Sequence, residues 1–128
     1  MSRGIADTSL FTAAAARRGL ETAELPDELA ISAITVGELR AALLAVDDYR
    51  VQDRRLEIYL AASSMDAIPI DEDVAASWAR LRAALHQARR SLRVNASWIA
   101  ATALSLGVPL VCHGHEFDDV PDLEVIRV

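Results

Sequence analysis

The feature that most constrains the fold is a repeated change from a short β-prone run to a helical pattern. IAD precedes one helical run, LAISAIT precedes VGELRAALLAV, and AIPI precedes EDVAASWARLRAALHQARR. VPLVC and LEVIRV then provide two further strands near the C-terminus. Because strands joined by helices pair in parallel through right-handed crossovers, this order predicts a three-layer α/β fold, with a mostly parallel central sheet and helices on both faces.

Local signals set the expected limits of these elements. Thr8 and Ser9 are expected to cap a helix through LFTAAAARR, and Asp71 to cap the helix that follows a buried strand at AIPI. Further helices are expected from about 48 to 62 and from about 96 to a C-cap at Gly107. The chain has 128 residues and no evident linker or repeat, so we predict a single domain over 1–128.

Composition excludes several classes of protein. No run of about 18 uncharged apolar residues is present, and MSRGIADTSLF lacks the apolar core of a signal peptide, so we expect a cytoplasmic protein with no membrane segment. The lone Cys112 has no partner for an internal disulfide or a CxxC zinc site. It is interpreted as a small buried apolar residue.

The net charge of −6 argues against broad, non-specific nucleic-acid binding, because phosphate-binding surfaces are normally basic. Acids gathered around a metal ion would, however, make the metal-free chain look more acidic than the working protein. All 13 basic residues are arginines, which suit phosphate contacts, although an arginine-only composition also fits a GC-rich genome. An acidic total is therefore compatible with a local basic rim.

Three acidic residues fall where predicted strands give way to helices or turns. Asp7 follows the first strand, Glu38 lies early in the helix after the second, and Glu116 follows VPLVC. If these carboxylates meet at one sheet edge, their repulsion favours a bound Mg²⁺ or Mn²⁺, which could polarise a phosphodiester and activate water. Each acid also has a simpler interpretation: Asp7 as a helix N-cap, Glu38 as an exposed helix acid, and Glu116 as part of a solvated turn.

The sequence resembles the PIN domain family, and within it the VapC toxins. IADTSLF resembles the opening of PIN domains, TVGELRAAL their second acidic motif, and VNASWIAATALSLGVPLVC with HEFDDVPDLEVIRV the C-terminal half of VapC toxins. The resemblance implies a PIN-like fold and a Mg²⁺-dependent endoribonuclease, the toxin of a type II toxin–antitoxin pair, which cleaves structured RNA such as tRNA or rRNA to inhibit translation. It also implies a VapB-like antitoxin as partner and a homodimer.

The same resemblance assigns the catalytic and metal-binding positions to Asp7, Glu38 and Glu116, but the third acidic position of the family holds Ala96. Around Glu116 the chain reads CHGHEF, which departs from the family pattern by Cys112 and Gly114. Three explanations fit Ala96: a deliberate substitution that silences a toxic nuclease, a naturally degenerate toxin, or a site that recruits another ligand such as Asn95 or Glu116. We favour the first and expect this chain to be a weak or inactive enzyme.

Basic and apolar residues suggest further contacts. Arg89, Arg90 and Arg93 precede the last long helix and are candidates for binding RNA phosphates, or else for a solvated helix end. The helix at about 48 to 62 offers apolar surface for a partner, although the same pattern also fits ordinary core packing. Trp78 and Trp98 are interpreted as packing residues, and a zinc site at His113 and His115 is not expected, because no third ligand has compatible spacing.

The main competing hypothesis is a PIN scaffold that binds its antitoxin or RNA without cleavage, and Ala96 is the residue that favours it. An unrelated phosphate-handling α/β enzyme is disfavoured. Neither a GxxxxGK[ST] loop nor a GxGxxG fingerprint occurs in the sequence.

Overall fold

The structure, a computed structural model, describes residues 1–16 and 18–128. It contains one five-stranded sheet in which all pairings are parallel and the strand order is β3-β2-β1-β4-β5. The strands are β1 (Arg3–Ala6), β2 (Glu28–Ser32), β3 (Ala67–Ile68), β4 (Leu110–Cys112) and β5 (Val125–Arg127). The predicted α/β fold with a parallel central sheet is confirmed.

Within the described residues, five helices connect and cover the strands. They are α1 (Thr8–Ala15), α2 (Ala33–Leu44), α3 (Tyr49–Ser63), α4 (Glu72–Gln87) and α5 (Val94–Leu106). Four of them are preceded by an N-cap residue whose side chain accepts a hydrogen bond from a backbone N–H of the first turn. The predicted cap Asp71 is one of these. Gly107 is the C-cap that follows α5, and its φ of 65° is the left-handed conformation that glycine adopts without strain.

Alternating residues of the central strands send side chains to opposite faces of the sheet. Ile5 and Leu110 belong to a core formed with α4 and α5, whereas Ala6 and Val111 belong to a second core that includes residues of α1 and α3. Both faces of the sheet are therefore buried, as expected for parallel strands that need helices on each side. The predicted burial of Cys112, which is 1% exposed, is also confirmed.

Three local predictions were wrong. The cap of α1 is Asp7, because its carboxylate accepts from the Ser9 N–H, so the predicted cap residues Thr8 and Ser9 lie within the helix. The run LAISAIT is not a strand throughout, because Ser32 caps α2 and the chain is helical from Ala33. The strand at AIPI has only two residues and lies at the sheet edge, where Ala67 is exposed rather than buried.

Two helix boundaries also differ from the prediction. α1 ends at Ala15, and Arg18 is not helical; the predicted continuation of the helix through Arg17 lies outside the described residues. α5 begins at Val94, two residues before the predicted start. Within the part of the chain that the structure describes, no helix is long and apolar enough to cross a membrane.

Candidate active site

The sheet topology selects one edge as the candidate site. From the central strand β1, the chain first builds outward to β2 and β3, and later adds β4 and β5 on the other side. The strand order therefore reverses between β1 and β4. In parallel α/β sheets such a reversal leaves a crevice beyond the carboxyl ends of the strands. Asp7 directly follows β1 at this point, and the loop that carries Glu116 follows β4.

Asp7 is a buried carboxylate, with 4% of the residue exposed. Its backbone N–H donates to the Val111 carbonyl at 2.8 Å, and its Oδ2 accepts from the Ser9 N–H at 3.1 Å. Burial raises the pKa of the Asp7 carboxyl, and the charge of Glu116 raises it further, against the opposing effect of the hydrogen bonds from Ser9. Asp7 is thus both the helix cap and a carboxylate whose charged form is disfavoured by burial.

Glu38 lies across from the start of α1 and is held there by threonine hydroxyls. The Thr8 hydroxyl donates to Glu38 Oε1 at 2.8 Å and lies 3.0 Å from the Thr35 hydroxyl oxygen. Thr35 is fully buried and precedes Glu38 by three residues, which places both on one face of α2. The sequence analysis missed Thr8 and Thr35 as site residues; the three-residue spacing to Glu38 was the available signal for Thr35.

Glu116 is engaged by an arginine of the same chain. Arg93 Nε lies 2.5 Å from Glu116 Oε2, and Arg93 Nη2 lies 2.8 Å from Oε1, a two-point pairing of guanidinium and carboxylate. The pKa of Arg93 is raised, first by this hydrogen bonding and also by the charges of Glu116, Glu38 and Asp7. The structure therefore pairs Arg93 directly with Glu116, whereas Glu38 and Asp7 affect the pKa of Arg93 only through their charges.

Ala96 lies in the first turn of α5, is 1% exposed and belongs to the hydrophobic core. Its methyl group offers no donor atom to a cation. The neighbouring Asn95 is exposed.

The carboxylates of Asp7, Glu38 and Glu116 are oxygen ligands of the kind that a hard divalent cation takes, so the donor chemistry fits a metal ion. The arrangement is incomplete, since among residues 1–16 and 18–128 no three Asp, Glu, His or Cys side chains are grouped so that they could hold a metal. The Glu116 carboxylate is paired with Arg93, and Ala96 contributes no oxygen ligand.

The three predicted RNA-binding arginines have different environments. Arg90 donates from Nη2 to the Glu116 carbonyl at 2.6 Å, and from Nε to the Asp118 carbonyl at 3.3 Å. It therefore fixes the backbone of the loop that follows β4. Arg93 is paired with the Glu116 carboxylate, whereas Arg89 is exposed and has a φ of 52°, which ends the helical path after α4.

The histidines and tryptophans have structural contacts. The His113 N–H donates to Ser9 Oγ at 3.0 Å, which joins the loop after β4 to the start of α1. Trp78 and Trp98 stack with ring centroids 4.4 Å apart, and Trp78 Nε1 donates to Ser97 Oγ at 3.0 Å. The interpretation of the tryptophans as packing residues is confirmed, and their contacts hold the first turn of α5 against α4.

Comparison with known proteins gives concordant matches. The PIN domain family profile matches residues 5–123 of the chain. Ribonuclease VapC5 of Mycobacterium tuberculosis (strain ATCC 25618 / H37Rv) is 37% identical over 128 residues, which cover 98% of this chain and 95% of that protein. Ribonuclease VapC4 of the same strain is 35% identical over 126 residues, covering 98% and 97%.

A solved structure matches equally well. The crystal structure of a member of the VapBC family of toxin-antitoxin systems, VapBC-5, from Mycobacterium tuberculosis contains a chain that superposes with a TM-score of 0.90. The sequence identity is 34%, and the match covers 100% of both chains. The match therefore includes the whole sheet and every element that contributes to the candidate site.

Proposed function

Because the chain belongs to the PIN domain family and, within it, to the VapC ribonucleases, we propose that it is the toxin ribonuclease of a type II toxin–antitoxin pair. The observation that carries the proposal is the buried Asp7 at the strand-order reversal, beside a Glu38 that Thr8 holds in place. The substrate is structured RNA such as tRNA or rRNA, and cleavage inhibits translation. Residues 1–128 act as one domain.

In this proposal Asp7 and Glu38 hold a divalent cation, Mg²⁺ or Mn²⁺, and Glu116 is a further ligand. The burial of Asp7 supports this assignment, because a buried carboxylate whose charge is disfavoured is stabilised by a bound hard cation. When bound, such an ion polarises the phosphodiester, lowers the pKa of an attacking water and neutralises charge on the leaving oxygen.

Other groups of the chain hold the carboxylates of Asp7 and Glu38 in position. The Ser9 N–H holds one oxygen of the Asp7 carboxylate, and the Thr8 hydroxyl holds one oxygen of Glu38. These hydrogen bonds restrict the rotation of both carboxylates, which lowers the entropy cost of ordering them around a ligand. The hydrogen bond from the His113 N–H to the Ser9 hydroxyl joins the loop after β4 to the start of α1.

We propose that Ala96 impairs this activity. A misplacement of about 1 Å in a catalytic group can lower a rate about 10²-fold, and a missing carboxylate should lower it further. Ala96 is buried and well packed, so the defect is a missing functional group rather than a disturbed fold.

For RNA contact, we propose that the exposed Arg89 binds a backbone phosphate at the rim of the site. Arg90 and Arg93 remain candidates, but their guanidinium groups are engaged by the loop after β4. Arg89→Glu should weaken RNA binding measured by fluorescence anisotropy. An unchanged affinity would remove Arg89 from the interface.

The partners proposed are a VapB-like antitoxin and a second copy of the chain. Large apolar side chains on or beside α2 and α3 support a protein interface, because isolated monomers rarely expose several of them together. The exposed fractions are 82% for Leu44, 67% for Tyr49 and 57% for Leu60. Leu60→Asp should reduce the mass measured by light scattering for the toxin alone or for the coexpressed complex; no change in either would exclude this surface.

The function is tested by purifying this chain and Ala96→Asp and comparing cleavage of total RNA with Mg²⁺, with Mn²⁺ and with a chelator. We expect metal-dependent cleavage by the aspartate variant and little or none by this chain. Adding Asp7→Asn to the aspartate variant controls for a contaminating nuclease.

The alternative is a PIN scaffold that binds its antitoxin or RNA without cutting, and the observation in its favour is the missing donor at Ala96. If the Ala96→Asp variant does not cut RNA with either metal, the scaffold becomes the better account. The acids at Asp7, Glu38 and Glu116 would then be structural.

A further inference from the structure

We infer that Arg93 is a built-in counter-ion of the acidic crevice, which competes with a divalent cation for Glu116. The inference rests on the metal site of the proposed function and adds to it a residue that opposes metal binding. In its paired state, the guanidinium of Arg93 compensates the charges that the cation would otherwise compensate.

The geometry of the pair supports this competition. Both contacts run from the guanidinium fork to the two carboxylate oxygens of Glu116, at 2.5 Å and 2.8 Å. A guanidinium matches a carboxylate in this two-point arrangement, so both oxygens of Glu116 accept a hydrogen bond from a cationic group. Each oxygen keeps a second lone pair, but the carboxylate charge that would attract a metal is already neutralised by Arg93.

Charge acts in the same direction as the geometry. Arg93 places a positive charge directly against the Glu116 carboxylate, so a divalent cation bound by Glu116 would meet a like charge. Arg93 and the cation are therefore alternatives, and the missing carboxylate at Ala96 shifts the balance toward Arg93.

The pair of Arg93 and Glu116 can also open. The side chains of Arg93 and Glu116 are 65% and 31% exposed, and ion pairs in such positions are weak because water screens them. The loop does not depend on Arg93 for its shape, since Arg90 binds the carbonyls of Glu116 and Asp118. Removing the Arg93 guanidinium should therefore leave the fold intact.

The test is direct Mn²⁺ binding to the full chain, measured by electron paramagnetic resonance of free Mn²⁺. Arg93→Gln removes the counter-ion, and Arg89→Gln is the matched control, because it removes an equal charge from an exposed arginine nearby. Each is measured in this chain and in the Ala96→Asp background. Circular dichroism confirms that every variant is folded.

We expect Arg93→Gln to tighten Mn²⁺ binding about fivefold, the scale of a partly exposed ion pair, and Arg89→Gln to change it less than about twofold. With Glu116→Gln already present, Arg93→Gln should lose most of its effect, because the competition is for that carboxylate. Equal effects of Arg93→Gln and Arg89→Gln would overturn the inference.

A different pattern of Mn²⁺ binding is expected if the proposed metal site itself is wrong. If no variant in either background binds Mn²⁺ in a manner that Asp7→Asn abolishes, the metal site itself is wrong and the inference falls with it. If binding depends on Asp7 but is indifferent to Arg93, the metal site stands and only the counter-ion inference is wrong.

Discussion

The two sides of the acidic crevice differ in how their functional groups are held. On the side formed by β1 and α2, Asp7 and Glu38 are fixed by a backbone N–H and a threonine hydroxyl. On the side formed by α5 and the loop after β4, Ala96 provides no functional group and Glu116 is paired with Arg93. One side presents restrained carboxylates, and the other is neutralised by the chain itself.

This difference shows that the scaffold around position 96 is retained although alanine offers no ligand atom there. β4 pairs in register with β1 and β5, and α5 packs extensively on α4 with Ala96 buried between its neighbours. Alanine is also the best helix former, so its presence in the first turn of α5 does not weaken the helix. Under the proposed function, the defect is restricted to one side chain and is reversible by one substitution.

The largest expected effect concerns the restrained side. In the Ala96→Asp background, Asp7→Asn and Glu38→Gln should each lower RNA cleavage by more than about 10²-fold, because each removes a charged ligand. Initial rates on a labelled RNA measure this. Asp71→Asn is the matched control, since Asp71 also caps a helix but is exposed at the start of α4. Equal losses in the control would mean that the site assignment is wrong.

A second effect concerns the neutralised side. Arg90→Gln should lower the free energy of unfolding by about 2 kcal/mol, because the half-buried guanidinium binds the carbonyls of Glu116 and Asp118. Urea titration followed by circular dichroism measures it, with Arg89→Gln as the control that should change stability by less than about 0.5 kcal/mol. If both variants are equally stable, Arg90 does not hold the loop.

A third effect concerns the stability, rather than the activity, that Asp7 confers on the restrained side. Asp7→Asn should raise the free energy of unfolding by about 1 kcal/mol at neutral pH, since asparagine still caps α1 and the buried charge is gone. Urea titration without added metal measures the gain. A loss of stability at neutral pH would show that the carboxylate is compensated in the folded protein.

The pH dependence of this gain follows from the direction of the shift. The pKa of Asp7 in the folded protein is raised above its ordinary 3.8, so the folded state takes up a proton before the unfolded state does as the pH falls. The destabilisation by the charged group is therefore complete above the folded pKa and disappears as the pH falls toward 3.8. The advantage of Asp7→Asn should shrink over the same interval.

The smallest expected effect concerns the buried thiol of Cys112, and its test needs no substitution. Burial raises the pKa of the Cys112 thiol to about 11, and the charge of Asp7 adds to this. Cys112 is the single cysteine, so labelling with a thiol reagent at pH 8 reports on it alone. We expect labelling only after urea unfolds the protein. Rapid labelling of the folded chain would show that the strand β4 is more accessible than the structure indicates.

Much of the fold followed from local sequence patterns. Changes between β-prone and helical runs located the five strands and five helices, because periodicity reflects burial on one or both faces. The errors arose where a side chain competed for the backbone. Ser32 ended β2 earlier than hydrophobicity suggested, and Asp7 replaced the adjacent hydroxyl residues as the cap.

The acids of the proposed site were named from the sequence, but their partners were not. Asp7, Glu38 and Glu116 stood out because they follow strands or lie early in the next helix, and their role as ligands stays a prediction. The pairing of Arg93 with Glu116 joins residues 23 positions apart, and the contact of Thr8 with Glu38 joins residues 30 apart. Such contacts depend on how α5 and α2 pack on the sheet, which no local pattern encodes.

The central claim is that the proposed metal site lacks only the carboxylate at position 96, and Mn²⁺ binding to Ala96→Asp and Ala96→Asn tests it most directly. The two variants have nearly the same size, but only the aspartate supplies a charge. We predict that Ala96→Asp gains a tight Mn²⁺ site that Asp7→Asn abolishes, whereas Ala96→Asn binds like this chain. If the aspartate variant binds Mn²⁺ no better than the asparagine variant, the claim is contradicted.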